Sequence, residues 1–365
     1  MKRNHKTILK WVCGILASLL VVVLAAGWWL AGERIMAANS IEKLQDNLYV
    51  MEYRGDYGFD EFLKQGGAEN DEEVADYLVS YLSFGLYQME SDVQMEKYGC
   101  STISTRDEYG TVFFGRNYDW KECRTMIVHT IPEDGYESIS TCNLDFLGFD
   151  ENYTPDGSIM ERMQTLASIY IPMDGMNEKG LIVADLMAGD DEATHQKSDK
   201  ADLTTTTAVR LLLDQAADVN EAIKLLKQYD MNSSIESAHH FAIADATGKS
   251  VVVEYVDGKM IVEEAKVVTN HYLTDCDKQG VGSRQSHIRY DTLCAHNGSA
   301  DETGVRDLLK SVAQNNYPQT EGSYEKTMWS IVYCPQSLCA DFYFDENYEH
   351  SYGLLLQEKD SFLKQ

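Results

Sequence analysis

The sequence predicts an α+β protein in which sheet layers are covered by helices. Two observations lead there. Short runs of β-branched and aromatic residues, separated by turn signals, recur from Thr102 to Phe344. Helical patterns fall in segregated pairs and do not alternate with strands one for one. A charge-free apolar segment stands in front of all of them.

That segment is Trp11–Ala31. At 1.5 Å per residue it reaches about 31 Å, the thickness of a bilayer's hydrocarbon core. Lys2, Arg3, Lys6 and Lys10 precede it, which predicts a cytoplasmic N-terminus, an exported remainder, and Trp28 and Trp29 at the outer interface. The protein is then single-pass in the cell membrane. A cleaved signal peptide is the alternative, since Leu24-Ala25-Ala26 and Met36-Ala37-Ala38 offer small-residue cleavage sites; the protein is then secreted.

Residues 32–99 are polar and acidic, with a loop at Gly66–Asp71 and one helix beginning near Asp71. Val74, Tyr77, Leu78, Tyr81 and Leu82 make an apolar stripe at helical period that must dock on the domain beyond. Strands are expected at Met126–Ile131, Ile169–Pro172 and Leu181–Leu186, then helices at Thr204–Ala217 and Asp218–Tyr229, the second opened by Asp218 and Glu221 as a capping box. Phe241–Ala244 and Ser250–Tyr255 read as a hairpin, Met260–Val262 and Lys266–Thr269 as strands, Gly304–Ala313 as a helix, and Met328–Tyr333 with Asp341–Phe344 as a last hairpin.

A net charge of −28 and a pI near 4.6 argue against nucleic acid as a partner and against adsorption to anionic lipid. Of eight cysteines, Cys334 and Cys339 flank a four-residue loop, a plausible cross-strand disulfide in an oxidising compartment. No spacing fits a metal site. His239 and His240, adjacent in a strand, point to opposite faces. Gly248-Lys249-Ser250 is no phosphate loop, because Ile243 stands where the first glycine belongs.

Chemistry concentrates at Cys100. Thr102–Thr105 and Thr111–Phe114 are β-prone and joined by a turn at Glu108-Tyr109-Gly110. The hairpin brings Arg116 and Asp119 back beside Cys100, and a guanidinium near a thiol favours thiolate, the nucleophilic form.

Cysteine, hairpin and Gly115-Arg116-Asn117-Tyr118-Asp119 resemble the choloylglycine hydrolase family of N-terminal-nucleophile (Ntn) linear amide C–N hydrolases, with bile-salt hydrolases, penicillin V acylases and, more distantly, acid ceramidase-like proteins. Gly175-Met176-Asn177-Glu178-Lys179-Gly180-Leu181, Val268-Thr269-Asn270 and Ser283-Arg284 extend the resemblance over roughly Cys100–Tyr352. It implies a four-layer αββα sandwich over residues 100–365, preceded by a membrane anchor (1–31) and a pro-segment (32–99). It also implies cleavage between Gly99 and Cys100, no cofactor, and a small N-acyl amide as substrate. Cys100 becomes the nucleophile and its freed α-amine the base; Asp119 orients the amine, Arg116 holds the thiolate and acyl oxygen, Asn270 donates to the oxyanion, and Arg284 completes the polar shell. Residues 32–99 contain no cysteine, so the cut segment stays docked without a covalent link. Two family asparagines fall at Met187 and Glu236, which argues against bile-salt specificity. A papain-like thiol peptidase and a non-catalytic ligand-binding ectodomain are the rival classes; the first lacks its signature around the cysteine.

Overall fold

The computed structural model describes residues 31–83, 99–149, 152–189, 192–296, 298–316, 326–357 and 361–364. Two sheets face each other. The larger runs in the spatial order β1 (Glu42–Gln45), β2 (Leu48–Arg54), β5 (Thr125–Ile131), β6 (Ser138–Asn143), β7 (Asp174–Asn177), β8 (Ile182–Met187), β11 (His239–Ala244), β12 (Ser250–Val256) and β13 (Lys259–Glu264). The smaller runs β14 (Val267–Thr269), β3 (Gly99–Arg106), β4 (Val112–Trp120), β15 (Lys326–Cys334), β16 (Cys339–Phe344), β17 (Tyr352–Leu355) and β18 (Leu363–Lys364). A separate parallel pair joins β9 (Asp202–Thr204) to β10 (Asp230–Asn232).

Among the described residues the three largest apolar clusters lie between the sheets and on their two outer faces. Between the sheets lie Cys100, Tyr118, Trp329, Ile331, Ile127, Met176, Ile182 and Ala242. Outside the larger sheet, Met51, Val128, Val183 and Phe241 meet helical residues 31–40 (α1), α2 (Phe59–Lys64), α3 (Asp71–Ser83), α5 (Thr205–Gln215) and α6 (Val219–Leu226). A short α4 (Ile159–Thr165) runs into a 3-10 turn over Leu166–Tyr170. Outside the smaller sheet, Ile103, Phe113 and Val332 meet α7 (Arg284–Cys294) and α8 (Glu302–Ser311). Gly115 permits that last contact, because a Cβ there would stand 2.6 Å from Val305 Cγ1.

The segment ahead of Cys100 is woven into the fold more deeply than a docking helix. β2 pairs with β5 in parallel along its whole length, Leu48 opposite Thr125 through Arg54 opposite Ile131. Leu48 and Val50 point into the core between the sheets, while Tyr49, Met51 and Tyr53 point into the helical layer. Each such side chain, fully buried, contributes roughly 1.5–3 kcal/mol. Tyr57 donates its hydroxyl to Asp214 at 2.6 Å, and Arg162 donates to the carbonyls of Ala38 and Ile41. In the expected stripe Val74 and Leu78 are buried, and Tyr77, Tyr81 and Leu82 are only partly so.

Other expectations need correction. Ile169–Pro172 is no strand: Ile169 and Tyr170 end a buried 3-10 turn, where their bulk fills the helical layer. Asp218 does cap α6, accepting from the N–H groups of Asn220 and Glu221, but Glu221 reaches back to Ala217 and not to the cap residue. Cys334 and Cys339 are register partners closing the β15–β16 hairpin, and both are free thiols. Apart from Ala31, the Trp11–Ala31 segment lies outside the described residues; among those described, no helix is long and apolar enough to cross a membrane.

Candidate active site

The β3–β4 hairpin is built as its turn residues demand. Asp107 Oδ1 accepts from the N–H groups of Tyr109 and Thr111, and Gly110 takes a φ of 89° that a side chain would resist. Register then sorts the motif. Cys100 lies opposite Tyr118 and Thr102 opposite Arg116, so Cys100 and Arg116 share the inner face; Gly99 lies opposite Asp119, on the face turned towards α7 and α8.

On the inner face Arg116 Nη2 lies 3.4 Å from Cys100 Sγ and donates to the Asp185 carbonyl at 2.9 Å. Its Nη1 pairs with Asp174, which also accepts from Trp329 Nε1 at 3.2 Å and the Tyr333 hydroxyl at 2.6 Å. Arg116 and Asp174 are wholly buried, so the ion pair is obligatory: either group alone would be an uncompensated charge. The guanidinium also rests over Tyr118, whose ring stacks on Trp329 at 4.0 Å. Burial pushes the Cys100 thiol up to about 12, against the pull of Arg116. Burial thus outweighs the guanidinium and favours the protonated thiol.

On the other face Asp119 accepts from Thr327 Oγ1 at 2.7 Å and Gln314 Nε2 at 2.9 Å, with Arg289 Nη1 at 3.4 Å. Burial raises the Asp119 carboxyl, and Arg289 opposes the shift. Gly99 keeps a negative φ and is not strained; its missing Cβ matters for space, since that atom would stand 3.1 Å from both Asp119 Oδ2 and Gln314 Nε2.

Asn270 follows β14, whose pairing with β3 sets Thr269 opposite Ser101. Its Oδ1 accepts the Cys100 N–H at 2.7 Å, and its Nδ2 donates to the Met187 carbonyl at 2.8 Å. The arginine that completes this corner is not Arg284, which is exposed at the first turn of α7. It is Arg289, 2 % exposed, which donates to the Cys100 carbonyl, to Ser101 Oγ at 2.7 Å and to Asn270 Oδ1 at 2.9 Å. The signal was available: Ser286, Arg289 and Leu293 recur at helical spacing on the face of α7 that is buried. Asp174 and Asp185 were also missed. Asp174 opens the strand that carries Gly175-Met176-Asn177, and Asn177 itself is structural, donating to the carbonyls of Leu213 in α5 and of Ala216 just past its end. Glu236 is exposed and pairs with His195 at 3.2 Å.

His239 and His240 do face opposite ways: His239 Nδ1 lies 2.9 Å from Asp185 Oδ1, and His240 Nδ1 lies 3.0 Å from Glu254 Oε1. Among the described residues no group of histidine, cysteine and carboxylate side chains could hold a metal. A cavity of about 430 Å³ opens at Asp185, the residue whose carbonyl oxygen is 3.9 Å from Cys100 Sγ. Val74, Ala75 and Leu78 of α3 wall one side; Phe146, Leu147, Ile171 and Met173 wall another.

Two facing sheets between helical layers, with Cys100 buried at the start of β3, define a mixed α/β protein of Ntn-hydrolase-like fold. The chain belongs to the acyl-coenzyme A:6-aminopenicillanic acid acyl-transferase family, whose model matches residues 105–349. A conjugated bile acid hydrolase from Clostridium perfringens, solved as a mutant, shares the fold: TM-score 0.52, 17 % identity, 72 % of this chain and 93 % of that one. A penicillin V acylase from Agrobacterium tumefaciens gives a TM-score of 0.48 at 18 % identity, over 72 % and 87 % of the two chains. In sequence, 110 residues are 32 % identical to a penicillin V acylase of Pectobacterium atrosepticum, spanning 27 % of this chain and 29 % of that relative.

Proposed function

We propose that the protein is a cysteine Ntn hydrolase that cuts its own chain between Gly99 and Cys100 and then cleaves the non-peptide C–N bond of a linear N-acyl amide. One observation carries this reading: the Cys100 nitrogen is held by Asn270 at 2.7 Å while the Arg116 guanidinium lies 3.4 Å from Cys100 Sγ.

Before the cut, the Cys100 nitrogen is an amide and cannot accept a proton. After it, the nitrogen is an α-amine with an ordinary pKa of about 7.7–8, able to take the thiol proton without a histidine. The sulphur adds to the substrate carbonyl carbon, and Arg116 faces the charge that develops on oxygen. Asn270 presents its oxygen to Cys100, so we assign it to holding the amine rather than the oxyanion, with Asp119 and Arg289 fixing the same corner. The C–N bond breaks, the leaving amine takes the proton, and water adds to the thioester to release the acid and restore Cys100. A papain-like reading requires a histidine on the sulphur; among the described residues the polar neighbours of Sγ are Arg116 and the Asp185 carbonyl.

Export and tethering belong to the proposal too, resting on Trp11–Ala31 and its basic flank. The β2–β5 ladder supports retention of the N-terminal piece after cleavage. Intact mass and Edman sequencing of purified protein, with a panel of bile-conjugate, phenoxyacetyl, lactone and long-chain acyl substrates, test the reading. An active wild-type chain still joined across residues 99 and 100 overturns it.

A further inference from the structure

The cavity at Asp185 has a one-sided charge. Four carboxylates line it, Asp71, Glu72, Asp185 and Glu236, together with His239 and, among the described residues, no lysine or arginine. His239 offsets Asp185 at 2.9 Å, and His195 stands 3.2 Å from Glu236 outside the lining. Asp71 accepts the Ile235 N–H at 2.7 Å, which orients its carboxylate without neutralising it. The Ser234 hydroxyl also lines the cavity; it is 4 % exposed and has no hydrogen-bond partner. It faces the Asp71 carboxyl, which burial raises while the Ile235 N–H, the Ser234 hydroxyl and His239 oppose the shift. The opposite wall is apolar. A buried hydroxyl beside four carboxylates and only two histidines is a place for a ligand's donor, and a ligand anion there is penalised.

We propose that the amine half of the substrate is cationic: an ammonium or guanidinium group seated by Asp71, Glu236 and Ser234, with an apolar chain along Val74 and Leu78. This rests on the amidase reading of Cys100. The same cavity rejects amides whose amine half carries a carboxylate or sulfonate.

The test is an isosteric series on one acyl chain: the N-dodecanoyl amides of putrescine, aminobutanol and γ-aminobutyrate, which end in a cation, a neutral hydroxyl and an anion. With the full-length enzyme, kcat/KM for the putrescine amide should exceed that for the aminobutanol amide by about tenfold, and the γ-aminobutyrate amide should be slowest. Asp71→Asn with Glu236→Gln should bring the cation-to-anion ratio towards one. Binding of the three amides to Cys100→Ala, followed by calorimetry, reads the same order without turnover. Equal binding of all three overturns the inference. Selective binding with no hydrolysis by wild type leaves the charge preference standing and overturns the amidase reading alone.

Discussion

The Asn270 side-chain oxygen accepts the Cys100 N–H at 2.7 Å across a sequence separation of 170 residues. Arg289 donates to the same oxygen at 2.9 Å, so a fixed cation steadies the atom that holds the Cys100 nitrogen. Replacing Asn270 by Leu removes an acceptor for a charged amine. Such a bond is worth about 1.5–3 kcal/mol, so kcat should fall by roughly 10- to 150-fold with little change in KM. Steady-state kinetics on any turned-over amide decides it, and an unaltered kcat takes Asn270 out of the mechanism.

Purified wild-type protein should consist of two fragments, the larger beginning at Cys100, that co-elute without reductant and part only in denaturant. The reason is β2: its removal would open the larger sheet along seven paired positions and expose Met51 and Tyr53. Cys100→Ala should remain one chain. Fragments that separate in native buffer would show that the ladder does not retain the N-terminal piece.

The three arginines should behave differently. Arg116→Ala leaves Asp174 buried without its cation, a cost of about 3–5 kcal/mol, so loss of fold accompanies loss of activity. Arg116→Lys keeps the charge but loses the fork, and should lower the rate by about a hundredfold or more in a folded protein. Arg289→Ala should impair both cleavage and turnover, whereas Arg284→Ala, at an exposed site, should stay within about twofold of wild type. Circular dichroism alongside kinetics separates these outcomes. If Arg284→Ala proves inactive and Arg289→Ala normal, the corner has been assigned to the wrong residue.

Acid should loosen the loop after Asn270. Glu254 accepts the N–H groups of Leu273 and Thr274 at 2.9 and 2.8 Å, and His240 lies against it. Burial would raise this carboxyl, yet these partners hold it down to about 2. A depressed folded pKa gives stability that is complete above the ordinary value near 4.5 and lost as pH falls towards 2. Thermal midpoints of wild type and Glu254→Gln should therefore differ most at neutral pH and converge between pH 4.5 and 2.5. A constant gap across that range refutes the assignment.

The sequence by itself determined what is local. The Asp107–Gly110 turn and the β-prone runs beside it specify the hairpin, and a hairpin with Cys100 on one strand and Arg116 on the other brings the two together by register alone. The Gly115–Asp119 motif and the Gly175–Leu181 run were enough to indicate the family, and the family match over residues 105–349 agrees. Tertiary structure decided what depends on distant partners. Parity of the strand put Arg116 and Asp119 on opposite faces, and which face met which helix followed only from the pairing of β4 with β15. The choice between Arg284 and Arg289 turned on the rotation of α7 over β3 and β14, set by the packing of Ser286 and Leu293. Residues 42–54 carried no strong strand signal, because half their side chains serve the core between the sheets and half the helical layer. Their place became visible only once β5 stood beside them, since a parallel ladder has no turn to announce it.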